Sequence, residues 1–189
     1  TGGESHWKQT WRGPMRDALT RLQEKIDNEY QTQLEKYEVD PWEVRDKYIT
    51  ISGEPSIKKF KSFLEKQCGF TGLDRAQTLK IRRLLEAQKY SLFSFTSCGW
   101  FFSDISGIES IQNLAYACRA LQLGLPESER KAALESFLAD LEKAPSNLPN
   151  TNGRTLFEKE LLSYFEHGKI MAFSAAIQKT LGIKKTMQF

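Results

Sequence analysis

Two segments of the chain combine residue types that could do chemistry. The first is Thr96-Ser97-Cys98-Gly99-Trp100-Phe101-Phe102-Ser103-Asp104-Ile105-Ser106-Gly107-Ile108-Glu109, which gathers small residues, three aromatic rings and acids in one short stretch. An aromatic ring can stack on the apolar face of a sugar while a nearby acid accepts hydroxyl hydrogen bonds. That is the general pattern of a binding site, apolar surface with a few placed polar groups. Trp100 and Asp104 are the candidates for those two roles. The same residues also suit a tight turn between helices, with Gly99 and Gly107 giving backbone freedom, the rings filling the core, and Asp104 or Ser106 capping a helix. The second segment is His6-Trp7-Lys8-Gln9-Thr10-Trp11-Arg12. Trp7 and Trp11 are four apart and would share a face if the segment is helical. It reads either as a hydrophobic anchor for an N-terminal arm or as a further aromatic patch, with Arg12 beside it, on the same groove.

No complete active site is recognisable. His6 and His167 are isolated from any Cys, Ser or carboxylate pattern that marks a nucleophile or a metal. Cys68, Cys98 and Cys118 have no metal-ligand spacing, and an odd number of cysteines argues against a disulfide framework, so a reduced, cytoplasmic setting is expected. There is no phosphate loop and no dinucleotide fingerprint. Carboxylates lie mostly on amphipathic helix faces, and no pair suited to glycoside hydrolysis is distinguished by spacing. Neither a metal nor another cofactor is expected.

Composition bounds the class. The 189 residues, 40% hydrophobic and 27% charged, suit a globular domain with a sizeable core. A net charge of +3 is too small to imply a nucleic-acid partner. The basic pairs Lys58-Lys59, Arg82-Arg83 and Lys184-Lys185 read as solvated helix faces. The longest apolar stretch, around Leu92 to Phe102, is broken by Ser, Thr, Cys and Gly, so no membrane association is expected. The chain opens at Thr1 without an initiator Met and reads as part of a longer protein.

The elements that would position these residues are helices. Pro14 precedes Met15, Ala18, Leu19, Leu22 and Ile26, whose spacing of three and four predicts a helix from about Pro14 to Tyr37. Asp40-Pro41-Trp42-Glu43 marks a second start, with Asp40 as cap and Pro41 first in the helix. Pro55 opens a third, with Ile57, Phe60, Phe63 and Leu64 inward. Thr71-Gly72-Leu73-Asp74 suggests a capping box before a long helix. Ala76, Leu79, Leu84, Ala87, Tyr90 and Leu92 carry that helix, which Gly99 is expected to stop. Ser106-Gly107-Ile108-Glu109 suggests another capping box, for a helix ending at Gly124. Pro126 starts the next, with Glu127 and Glu129 where acids suit the helix dipole. Residues 144–152 read as a loop, and Thr155-Leu156-Phe157-Glu158 opens a last helical region, interrupted near Gly168. No window alternates with period two as a half-buried strand does. The fold class expected is all-α, an irregular bundle of about seven helices.

Several segments resemble the helical domain, of unknown function, that follows the barrel in a subgroup of glycoside hydrolase family 57 proteins. They are the run from Trp7 through Gly13-Pro14 to Leu19, the run Asp40-Pro41-Trp42-Glu43-Val44-Arg45-Asp46-Lys47-Tyr48-Ile49, and Thr96 to Glu109 continuing through Gln112, Tyr116, Ala117 and Arg119. Weaker matches are Ala144-Pro145-Ser146-Asn147, Gly153-Arg154 and Glu158-Lys159. The resemblance implies a single helical domain over 1–189, with 1–13 as an arm or linker from an upstream (β/α) barrel. That barrel, in the same polypeptide, would be the domain's partner and would carry both catalytic acids. The substrate implied is an α-glucan or oligosaccharide, processed by hydrolysis or transfer. In the family's pattern a Ser-Asp-Trp-Pro-Phe type turn brings a Trp to the cleft. Trp100 corresponds to that Trp, and Gly99 stands where the pattern has Asp. The expectation is therefore that Phe101 and Phe102 anchor the turn inward while Trp100 faces a groove, with Asp104 close enough to share its ligand. Exposed apolar surface for the partner is expected near Trp7, Trp11 and Trp100.

Overall fold

The computed structural model describes residues 5–166, and they are all-α, an irregular bundle with seven helices of eight residues or more. The helices are α1 (Arg12–Leu34), α2 (Pro41–Tyr48), α3 (Ile57–Gln67), α4 (Arg75–Phe93), α5 (Cys98–Phe101), α6 (Ile108–Gly124), α7 (Glu127–Leu141), α8 (Gly153–Glu160) and α9 (Leu162–Glu166). The only extended pairing among the described residues is an isolated bridge between Pro145 and Asn152. The expectations for His167, the break near Gly168 and Lys184-Lys185 lie outside the described residues.

Local chemistry accounts for most helix starts. The Asp40 carboxylate accepts from the Trp42 and Glu43 N–H groups, satisfying two of the free donors of α2, and Pro41 has no N–H to satisfy. Ser56 caps α3. The capping box of α4 is Asp74 with Gln77, three residues later than the Thr71 start expected from sequence. The expected box at Ser106 does not form. Gly107 occupies the cap of α6 without a side-chain bond, because the Ser106 N–H is already held by Asp104. Gly99 does not stop α4 either. That helix ends at Phe93, and Gly99 lies inside α5.

Two apolar clusters share two long beams. The larger joins the first half of α1 (Trp11, Met15, Leu19, Ile26) to the end of α4 and to α6, α7 and α8. The smaller joins the end of α1 (Tyr30, Leu34) to α2, α3 and the start of α4 (Ile81, Leu84, Leu85). With 23 residues, α1 extends about 35 Å, long enough to serve both clusters. The Tyr30 hydroxyl donates to the Pro41 carbonyl at 2.6 Å and ties α1 to α2 inside the smaller one. In the larger, Gly124 lets α6 close onto α1 and α4. A Cβ there would come within 2.9 Å of Ile26 and 3.3 Å of Ala87.

Candidate functional site

The turn between α4 and α6 is built from side chains that hold backbone. Asn113 of α6 donates its amide to the Thr96 carbonyl and accepts from the Thr96 hydroxyl, and Ser110 donates to the Gly99 carbonyl. A Cβ on Gly99 would overlap the Asn113 amide, so only glycine lets α5 sit this close to α6. From the other side, the Arg12 guanidinium donates to the carbonyls of Phe101 and Phe102 at 3.3 and 3.2 Å, and to Gln9. The Trp11 indole N–H donates to the Ser103 carbonyl at 3.2 Å.

Asp104 is buried at the centre of this arrangement. Its carboxylate accepts from the Ser106 N–H, the Ser146 hydroxyl, and both the backbone and side-chain N–H groups of Asn147. Asn147 also exchanges two hydrogen bonds with the backbone of Lys8. One carboxylate therefore fastens together the N-terminal arm, the aromatic turn and the loop before α8. Burial alone would raise the Asp104 pKa. The Asn147 N–H, the Ser146 hydroxyl and the Ser106 donors outweigh that and hold it below the usual carboxylate value.

The positions expected for a sugar-facing wall need correcting. Asp104 has its acceptor capacity used within the protein, so it does not share a ligand with Trp100. Trp11 is fully buried, and Trp7 precedes α1 and does not share a helix face with it. Trp100 is half-buried and stacks on Trp11, with ring centroids 6.1 Å apart and planes 10° from parallel. The ring presented to solvent is Phe101, 63% exposed, with Phe102 edge-on against it. The reason is the clamp: Arg12 binds the carbonyls of Phe101 and Phe102, and Trp100 packs on the face of Trp11. Arg12 is thus a positioning group for the turn.

A concave surface elsewhere went unread in the sequence. A groove of about 320 Å³ opens between the end of α2 and the second half of α4, lined by Arg45, Tyr48, Ile49, Leu85, Lys89, Leu92 and Phe93, among others. Ile49 is 78% exposed, Leu92 49% and Phe93 40%, so three of the large apolar side chains left in solvent meet here. Phe93 continues the surface onto α6 through its edge contact with Tyr116. At the wall, Glu86 accepts from the Tyr48 hydroxyl and from Lys89, which leaves these polar groups paired. Burial, then the Glu86 contact, raises the Tyr48 pKa, so the phenol stays protonated.

Among the described residues no three His, Cys, Asp or Glu side chains are placed to hold a metal ion. Cys68 and Cys118 are buried and Cys98 is exposed, all three unbridged. Burial pushes the Cys68 thiol up to about 11, which makes it a poor nucleophile. No helix among the described residues is long and apolar enough to cross a membrane.

Fold and surfaces together define an all-α domain with an aromatic turn at one end and an apolar groove on its side. The chain belongs to the family described as Domain of unknown function (DUF3536), which matches residues 7–187. Trp7, the aromatic turn and the Ser146-Asn147 loop all fall within that span. No curated protein and no solved structure matches the chain.

Proposed function

We propose that this domain closes one side of the carbohydrate cleft of a family-57-like glycoside hydrolase or glucanotransferase barrel in the same polypeptide, and has no catalytic turnover alone. The observation that carries the reading is the ring of Phe101, exposed on a turn made rigid by Arg12, Asn113 and Asp104. A fixed aromatic ring suits a sugar face, because little side-chain freedom is lost on binding. Phe102 backs that ring edge-on. The substrate is an α-glucan or oligosaccharide, and the three unbridged cysteines suit a cytoplasmic location.

The test is Phe101→Ala in the complete protein, assayed on a panel of α-glucans. Stacking of one ring is worth about 1–3 kcal/mol, so substrate binding should weaken roughly 5- to 150-fold. Unchanged binding by a stably folded variant would remove Phe101 from the cleft. Turnover of an α-glucan by residues 1–189 alone, abolished by a substitution within them, would refute the non-catalytic role.

A second reading, a helical interaction module with no carbohydrate role, is favoured by the groove at Ile49, Leu92 and Phe93. Exposed apolar residues gathered in one patch mark association surfaces. Polar substitutions at Leu92 and Phe93 that abolish a protein association and leave α-glucan chemistry unchanged would favour it.

A further inference from the structure

The groove between α2 and α4 has no cover among the described residues. Its apolar walls are Tyr48 and Ile49 on one side and Leu85, Leu92 and Phe93 on the other. Phe93 carries the surface onto α6, with its ring centroid 5.6 Å from that of Tyr116. Single exposed apolar residues are ordinary, but a gathered patch marks a surface made to be covered.

The described chain ends within reach of that patch. The Phe165 carbonyl accepts from the Gln122 side-chain amide at 3.1 Å. Gln122 lies six residues beyond Tyr116 on α6, about 9 Å along the helix axis. Residues 167–189 follow and lie outside the described residues. In their sequence Ile170, Phe173, Ile177 and Leu181 recur at steps of three and four, the spacing of one apolar stripe, and Lys179 falls on the opposite side. The chain from Phe165 to Ile170 can extend about 17 Å, enough to bring the first of these residues to Tyr116. A helix carrying the stripe would run about 17 Å further, and anchors at this spacing are how an amphipathic helix fills an apolar groove.

Charge points the same way. Residues 167–189 contain four lysines and no Asp or Glu. Asp46, the acid in the groove wall, has its side chain 73% exposed. The cations of the wall are engaged, Lys89 by Glu86 and Arg45 by the Trp42 ring and Asp46. The family match runs to residue 187, so the segment is part of the same family domain.

We propose that residues 170–181 of the same chain cover this groove, seating Ile170, Phe173, Ile177 and Leu181 along Tyr116, Phe93, Leu92 and Ile49. The groove is then an internal docking surface, and a protein partner reaches it only by displacing the segment. The inference is separate from the aromatic turn and does not depend on the carbohydrate reading. Docking of a terminal segment is a local equilibrium, so contacts and amide exchange read it better than global unfolding does.

The test is methyl NMR on the 189-residue chain. Expected are nuclear Overhauser contacts between the Ile170, Ile177 or Leu181 methyl groups and those of Ile49 or Leu92, unchanged on tenfold dilution. Ile177→Asp should shift the Ile49 and Leu92 methyl resonances and leave those of Leu19 and Leu64, in the two cores, in place. Leu92→Ser should speed amide exchange within 170–181 about 3- to 10-fold, while Lys179→Gln changes neither readout. Circular dichroism checks that each variant is folded, and because Ile177 lies outside the bundle, its variant decides if Leu92→Ser is unfolded. Absence of contacts between the segment and the groove overturns the proposal. Contacts that vanish on dilution, or that appear between differently labelled chains mixed together, also overturn it and give the groove to the segment of a second copy.

Discussion

The aromatic turn and the groove between α2 and α4 divide the polar and apolar features of a binding surface between them. In the turn, a buried carboxylate and an asparagine hold three stretches of chain together, and nearly all of the local chemistry is spent on position. One ring, Phe101, remains for solvent. In the groove the polar groups pair along the wall, and the floor and lips are Leu, Ile and Phe left uncovered. Chemically rich sequence therefore marks the part of the molecule that is built most firmly, and the open apolar surface arises where the sequence reads as ordinary helix.

The largest effects that would test this contrast belong to the turn. Asp104→Ala should cost about 3–5 kcal/mol in urea unfolding, since it strips the partner from several buried donors. Trp11→Ala should fall in the same range through the cavity it leaves. A cost below about 1 kcal/mol at either position would break the contrast. The pH dependence follows from the lowered pKa of Asp104. Its stabilisation is complete above the ordinary carboxylate value of 3.8 and is lost as pH falls through the lower folded value. Melting temperature measured from pH 6 to pH 2 should therefore drop through this region, and less steeply in Asp104→Asn.

Gly99→Ala comes next, at about 1–3 kcal/mol, because the added methyl group forces the Asn113 amide off Thr96. Chemical denaturation of the single variant measures it. If the cost is absent, α5 is less closely seated on α6 than its contacts require. The smallest effect is expected in the groove. Ile49→Ser and Leu92→Ser should change stability by no more than about 0.5 kcal/mol, as exposed positions do, and should raise solubility. A loss of several kcal/mol at Leu92 would make the groove part of the core and remove the contrast.

How much of this the sequence held depends on how far each partner lies along the chain. The starts at Asp40, Ser56 and Gly107, and the end of α6 at Gly124, are set within a few residues, and reading found them or came within one. The start of α4 was missed because Asp74 and Gln77, rather than Thr71, complete the reciprocal pair. The all-α fold was legible from apolar spacing. The role of Asp104 was not, because its partners Ser146 and Asn147 come from a loop more than forty residues away. Those two residues stand in the motif Ala144-Pro145-Ser146-Asn147, which carries no local sign of the carboxylate it binds. Leu92 was expected in the buried stripe of α4. It is exposed because it lies on the open side of the helix end, where Tyr90, Ser91 and Ser94 take the buried side, which only the packing reveals.

The clamp around Asp104 also bears on how quickly the fold comes apart. Its hydrogen bonds close loops of 42 and 43 residues, and the bonds between Lys8 and Asn147 close one of 139. Closing such loops costs chain entropy before any contact returns it, so these bonds belong to the last steps of folding, after the helices have paired. Removing them should leave the folding limb of a chevron plot almost unchanged and raise the unfolding rate, with a φ-value near zero for Asp104→Ala in stopped-flow measurements. By that logic the carboxylate acts as a latch: it does little to bring the chain together and much to set how long the closed form lasts.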